Sequence, residues 1–197
     1  MKFTGIATID TPEREKVFLG IVTERMLSEG HLIRTAGTQS QCEPFISAAT
    51  APVIEADDSR KPGSIPMEVF LPYKTNGELV TNNRTVFNIA ELKAIQSGQA
   101  LKIISRFVSK QPGSVNYPAE WDAYVPGLLG KSLDDKSKLM ICWAPKSEFD
   151  SNERMNDCAG DLGVAVRMAY AHGINVFNTA VPAHKHRLLK WISGDKR

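Results

Sequence analysis

The sequence predicts an α/β fold: a Rossmann-like, doubly wound, mainly parallel sheet with helices on both faces. Three observations lead there. Short apolar runs at residues 2–8, 31–34, 67–71, 139–143 and 174–178 suit buried strands. Stretches with apolar residues at helical spacing separate them, most clearly at 13–29 and 164–171. The unit 138–180 reads strand, polar loop, glycine-bearing turn, helix, strand, which is the βαβ crossover of a parallel sheet.

Each element has its own reason. Residues 2–8 alternate into a strand, and Thr11-Pro12-Glu13 opens a helix with Thr11 as the expected N-cap and Pro12 at the first helical position. Glu13 and Glu15 favour the positive end of that helix. Val17, Phe18, Ile21, Val22 and Met26 are expected on one buried face, and Gly30 ends the helix. After the second strand comes the loop Thr35-Ala36-Gly37-Thr38-Gln39-Ser40, whose small residues let backbone N–H groups approach an anion. A short helix is expected over 43–51, a turn-rich surface segment over 52–66, and a third strand over 67–71 stopped by Pro72. Residues 73–84 read as a loop over the sheet edge, and 86–97 and 100–108 as helices broken at Gly98. Pro118-Ala119-Glu120-Trp121 starts another helix. Residues 73–130 thus form a loop and helical insertion within a single domain, 1–197. The run 139–143 is the strand before a polar loop at 146–156 with the look of a lid. The next helix stops at His172-Gly173, and 183–192 is the terminal helix, carrying Leu188, Leu189 and Trp191.

Composition excludes several function classes. Hydrophobic and charged contents of 42% and 23% are ordinary for a globular protein. A net charge of +2 does not make a nucleic-acid-binding surface, and the basic C-terminal cluster from Lys185 to Arg197 reads as a solvated helix face and tail. No apolar run approaches the roughly 20 residues needed to span a bilayer. Met1-Lys2 leads straight into a strand with no signal segment, so a cytoplasmic location is expected and no membrane partner. Cys42, Cys142 and Cys158 form no CxxC pair, which indicates neither a disulfide framework nor a zinc site. His184 and His186 lie two apart, on different sides of a helix, and the carboxylates Asp134, Asp135, Glu148, Asp150 and Glu153 sit in polar turns. No metal and no cofactor are expected.

In open parallel sheets ligands sit beyond the carboxyl ends of the strands. That rim holds the candidate ligand-binding residues Thr8, Arg34, Thr35, Gly37, Thr38, Trp143, Gly160, Asp161, Gly163 and Asn178. The loop at Gly160–Gly163 opens a helix, whose N-terminus favours an anion. Trp143 ends a strand at the rim, where it either stacks on a base or simply packs.

The ordered segments also resemble a family. They are Gly5-Ile6-Ala7-Thr8-Ile9-Asp10-Thr11-Pro12, Ile33-Arg34-Thr35-Ala36-Gly37-Thr38, Val69-Phe70-Leu71-Pro72, 130–145 (GKSLDDKSKLMICWAP), 160–167 (GDLGVAVR) and 173–178 (GINVFN). Together they are similar to the SLOG superfamily of Rossmann-like proteins, which includes the DNA-processing protein A domain and the "lonely guy" nucleotide hydrolases. The chain most resembles small stand-alone members found in bacteriophage genomes. The C-terminal third carries the specific match. Departures are pointed: Ile9 stands where the family has arginine, Ala36 where it has the first of two glycines, and Asp161 where a glycine would face phosphate. Arg167 occupies the position of the hydrolases' glutamate. A carboxylate is what N-glycosidic hydrolysis needs, whereas arginine pairs with phosphate or carboxylate, which adds Arg167 to the ligand-binding candidates.

The resemblance implies a non-catalytic binder of a nucleotide-derived small molecule, such as a phage protein that sequesters a host immune signal of the cyclic ADP-ribose type. It also implies a homo-oligomer. Two alternatives stand beside it: a nucleotide phosphoribohydrolase using Asp161, and a single-stranded DNA-binding recombination mediator, which the near-neutral charge opposes.

Overall fold

The structure, a computed structural model, describes residues 1–50, 66–76, 79–80, 85–111 and 113–194. Strand β1 (Lys2–Ile6) leads through α1 (Glu13–Ser28) to β2 (Leu32–Ala36), and α2 (Gln39–Thr50) precedes β3 (Met67–Leu71). Short strands β4 (Thr75–Asn76) and β5 (Leu79–Val80) pair with each other before β6 (Val86–Asn88). Helices α3 (Lys93–Gln96), α4 (Gln99–Ile104) and α5 (Glu120–Leu129) follow, then β7 (Leu139–Cys142). A hairpin of β8 (Ser147–Phe149) and β9 (Met155–Cys158) leads into α6 (Leu162–Ala171), β10 (Asn175–Asn178) and α7 (Pro182–Ile192).

The central sheet has six strands in the order β10-β7-β1-β2-β3-β6. Every pairing in it is parallel. Helices cover both faces, as expected of a Rossmann-like α/β fold. Strand side chains alternate between two cores. Phe3, Ile33, Val69 and Ile141 pack with α1, α2 and α7, while Ile6, Ala36, Phe70 and Met140 pack with α5 and α6. From β1 the chain steps outward to β6, then returns to lay β7 on the other side of β1. The order reverses there, so the C-terminal ends of β1 and β7 flank the topological switch point.

Several expectations change. Residues 86–88 are a strand and not the start of a helix: Val86 and Phe87 register against Val69 and Phe70, and the two phenylalanine rings stack at 5.6 Å. Burial against the sheet outweighs the helical spacing that continues after them. The helical part breaks at Gly98, which takes φ 72° between α3 and α4. On α1 the buried stripe is Phe18, Leu19, Val22, Met26 and Leu27, while Val17 and Ile21 are 58% and 44% exposed. Thr11 does not cap α1; its Oγ1 accepts from the Thr8 backbone N–H at 2.9 Å and closes the β1 loop. Residues 146–156, expected as a loop, largely form the β8–β9 hairpin. Helix α2 begins at Gln39, ahead of the expected 43. Of the expected turn-rich stretch at 52–66, residues 52–65 lie outside the described residues, as do Lys196 and Arg197. No helix among the described residues is long and apolar enough to cross a membrane.

A buried polar row crosses the sheet beneath α5. Thr4, Arg34 and Glu68 are register partners on β1, β2 and β3, so their side chains stand side by side on one face. Arg34 is 1% exposed; its Nε donates to Glu68 at 2.7 Å and its second terminal nitrogen to Asp135 at 2.6 Å. Thr4 donates to the Gly127 carbonyl at 2.8 Å, tying β1 to α5. Lys2 and Arg34 together hold the Asp135 carboxyl below its usual range.

Candidate functional site

A crevice of about 490 Å³ opens at the switch point, lined by the segments after β1, β2 and β7, the turn before α6, and Glu120 at the start of α5. That volume suits a small organic ligand. Its floor is set by sharp local conformation. Gly37 takes φ 112°, and a Cβ there would lie 2.2 Å from the Gln41 side-chain oxygen. Leaving that space lets Gln41 fold back, where its Oε1 accepts from the Thr38 backbone N–H at 2.7 Å. A backbone N–H is only a donor, so this contact fixes which end of the amide is oxygen. Gln41 Nε2 therefore donates to the Tyr124 hydroxyl at 2.9 Å. Burial pushes the Tyr124 hydroxyl pKa up, and the charges of Glu120 and Asp161 push the same way.

The walls are acidic: among the described residues, Asp10, Glu120 and Asp161 line the crevice with one ammonium, Lys146. The α6 turn is less open to an anion than its glycines suggest. Gly163 N–H donates to the Gly160 carbonyl at 3.1 Å and Val164 N–H to Asp161 at 3.4 Å. Gly163 serves packing instead: a Cβ there would lie 2.5 Å from the Cys158 carbonyl oxygen and 2.9 Å from Asp157 Oδ1.

Of the eleven candidates, the structure brings Thr8, Thr38, Gly160 and Asp161 together in the crevice lining. Gly37 sits behind Gln41 and shapes the floor. The others stand elsewhere. Arg34 is committed to Glu68 and Asp135 inside the sheet layer, because its position two residues before the end of β2 turns it toward α5. Thr35 is fully buried in β2. Trp143 packs against the α1–α2–α7 core. Arg167 donates from one terminal nitrogen to both Asp157 oxygens, at 2.7 and 2.9 Å, and from the other to the Phe107 carbonyl. Asn178 is fully buried: Oδ1 accepts from Ala144 N–H and Ala180 N–H, and Nδ2 donates to the Ala144 carbonyl and Ser147 Oγ. It clamps β7 to β10. Gln41, Glu120 and Lys146 line the crevice but were not among the candidates. Nothing in the local sequence singles them out, since α5 reaches the rim only through tertiary packing.

Other chemistry is poorly supplied. Burial pushes the Cys42 and Cys158 thiols up to about 12 and the Cys142 thiol well above its usual value, so none is a ready thiolate. Among the described residues no His, Cys, Asp and Glu cluster could hold a metal. Compared with family models, curated proteins and solved structures, the chain gives no match in any of the three. The SLOG resemblance therefore rests on its motif residues alone.

Beside the rim, His184 Nδ1 accepts from the Asn178 backbone N–H at 3.1 Å, which requires a neutral ring. Burial, then the Arg187 charge, hold its pKa below the usual 6.5. In the window between the folded value and 6.5 the unfolded chain binds the extra proton, so stability rises with pH there. The contribution is complete above about 6.5 and is lost as pH falls toward the folded value. Urea titrations at pH 7.5 and 5.5 should show wild type losing more stability on acidification than His184→Gln. An equal loss would remove His184 from the acid response.

Proposed function

We propose that this protein binds a nucleotide-derived small molecule in the switch-point crevice without transforming it. The observation that carries the reading is the crevice itself: about 490 Å³, at the place where this architecture gathers ligands, walled by polar groups from four loops. The position of the SLOG hydrolases' glutamate holds Arg167, whose guanidinium is engaged by Asp157 and Phe107, which supports binding over hydrolysis. Binding without chemistry suits sensing or sequestration of a signal. The narrower form, a phage protein capturing a cyclic ADP-ribose-type nucleotide, belongs to the same proposal. Calorimetry against nucleosides, nucleoside monophosphates, cyclic nucleotides and ADP-ribose isomers tests it. At least one should bind well below millimolar, a level worth only ~4 kcal/mol; uniform failure to reach it sinks the reading.

One observation favours a second reading. Glu120 and Asp161 put carboxylates in the crevice, and glycosidic hydrolysis works through carboxylates. Chromatography after prolonged incubation with nucleosides and their monophosphates decides it. Released base supports a hydrolase; intact substrate at saturating protein disposes of it.

A further inference from the structure

The crevice has a polarity that narrows its ligand; the narrowing rests on the binding reading above and replaces its phosphate-bearing form, the cyclic ADP-ribose type, with an uncharged one. We infer that it recognises an uncharged, amine-bearing heterocycle of nucleoside type and discriminates against phosphate.

Two independent features carry this. The first is charge. Among the described residues, Asp10, Glu120 and Asp161 outnumber Lys146 three to one around the cavity. A phosphate entering would meet net negative walls, while an exocyclic amine would meet carboxylate acceptors. The Arg34 and Arg167 guanidiniums, the natural phosphate partners of the sequence, are held elsewhere by Glu68, Asp135 and Asp157.

The second is the state of the rim's backbone donors. A phosphate cradle needs free N–H groups converging on one point. Here Ala7 N–H donates to the Gln41 carbonyl and Thr8 N–H to Thr11 Oγ1. Thr38 N–H goes to Gln41 Oε1, and Gln41 and Cys42 N–H both go to the Thr38 carbonyl. At the α6 turn, Gly163 and Val164 N–H are satisfied by Gly160 and Asp161. These seven donors are closed into the loops that present them, and at the start of α6 the Asp161 carboxylate opposes an incoming anion.

What remains suits a ring. Gln41 Nε2 carries two hydrogens, and among the described residues only one is engaged, by Tyr124. The Tyr124 hydroxyl that accepts that bond is fully buried and lies outside the crevice lining, so it orients the Gln41 amide and does not meet a ligand itself. The floor thus offers a neutral donor to a ring nitrogen or carbonyl, while the walls offer acceptors to an amine. Adenine-type and cytosine-type edges carry both functions.

Calorimetry on the full chain at low salt tests this with adenosine, inosine, AMP, cytidine, uridine and CMP. An amine-bearing nucleoside should bind at least tenfold more tightly than its 5′-monophosphate and at least fivefold more tightly than its carbonyl counterpart. The nucleoside-over-monophosphate ratio should shrink at least threefold in Asp161→Asn/Glu120→Gln, and also in high salt, which screens the walls. Circular dichroism confirms that the variant is folded. A monophosphate binding as tightly as its nucleoside overturns the inference and leaves the crevice a binding site. Inosine or uridine matching its amine-bearing partner overturns the amine selectivity. Failure of all six to bind either protein overturns the inference; the wider panel of cyclic nucleotides and ADP-ribose isomers then decides separately whether the crevice binds anything.

Discussion

Arg34→Met should lower the unfolding free energy by about 3–5 kcal/mol, the usual consequence of removing one partner from a buried ion pair. Glu68, whose side chain is 13% exposed, would keep its charge beneath α5 with, among the described residues, only Lys131 at 3.4 Å to compensate it. Asp135 is 47% exposed and relaxes into water, so its share of the loss is small. Chemical denaturation reads the effect as a lower midpoint at unchanged slope. The double variant Arg34→Met/Glu68→Leu should recover most of the loss, because paired apolar replacement removes the stranded charge along with its partner. A single-variant loss below ~1 kcal/mol, the scale of an exposed pair, would show that Arg34 is not the pivot of the polar row. The folded fraction should bind small ligands unchanged, since the side chain is absent from the crevice lining.

Asn178→Leu should cost about 3 kcal/mol, since each buried polar group left unpaired costs about 1–3 kcal/mol. Leucine shares the branching of asparagine but is larger, so overpacking adds to the lost hydrogen bonds. Ala144 loses partners for both its N–H and its carbonyl, and Ala180 N–H loses its acceptor. Asn178→Asp keeps the acceptor for both N–H groups but loses the donor to Ala144 and Ser147, and it adds a buried charge. Urea denaturation at neutral pH should place both variants well below wild type. An Asn178→Leu midpoint within error of wild type would mean that water or a shifted backbone replaces the clamp.

Both residues stood on the rim as sequence candidates, and both are structural here. The reason is alternation. A strand shows which residues are near its end, but the side-chain direction and the neighbours on that face are set by pairing. Arg34 meets Glu68 because β2 and β3 align in that register, and Asp135 arrives from a loop a hundred residues away. The Gly163 signal had the same ambiguity: a glycine at a helix start reads as phosphate approach or as close packing. The Cys158 carbonyl in the way of a Cβ decides for packing.

What the sequence determined by itself is the order of the five strands β1, β2, β3, β7 and β10 and of the main helices between them, the parallel layered architecture and the rim where a ligand would gather. Apolar periodicity, proline at a helix start and glycine at a helix end are local signals, and local chemistry is enough to produce them. It also determined that Asp161 stands at the α6 N-terminus, where it remains in the crevice wall. Only the tertiary structure decided that residues 86–88 join the sheet, that Glu120 reaches the switch point, and that both arginines are neutralised away from it. Those outcomes depend on contacts between residues distant along the chain, whose partners no local pattern encodes. The charge of the crevice is therefore a property of the packing: carboxylates remain at its wall because the cations that would balance them are held by partners inside and beside the sheet.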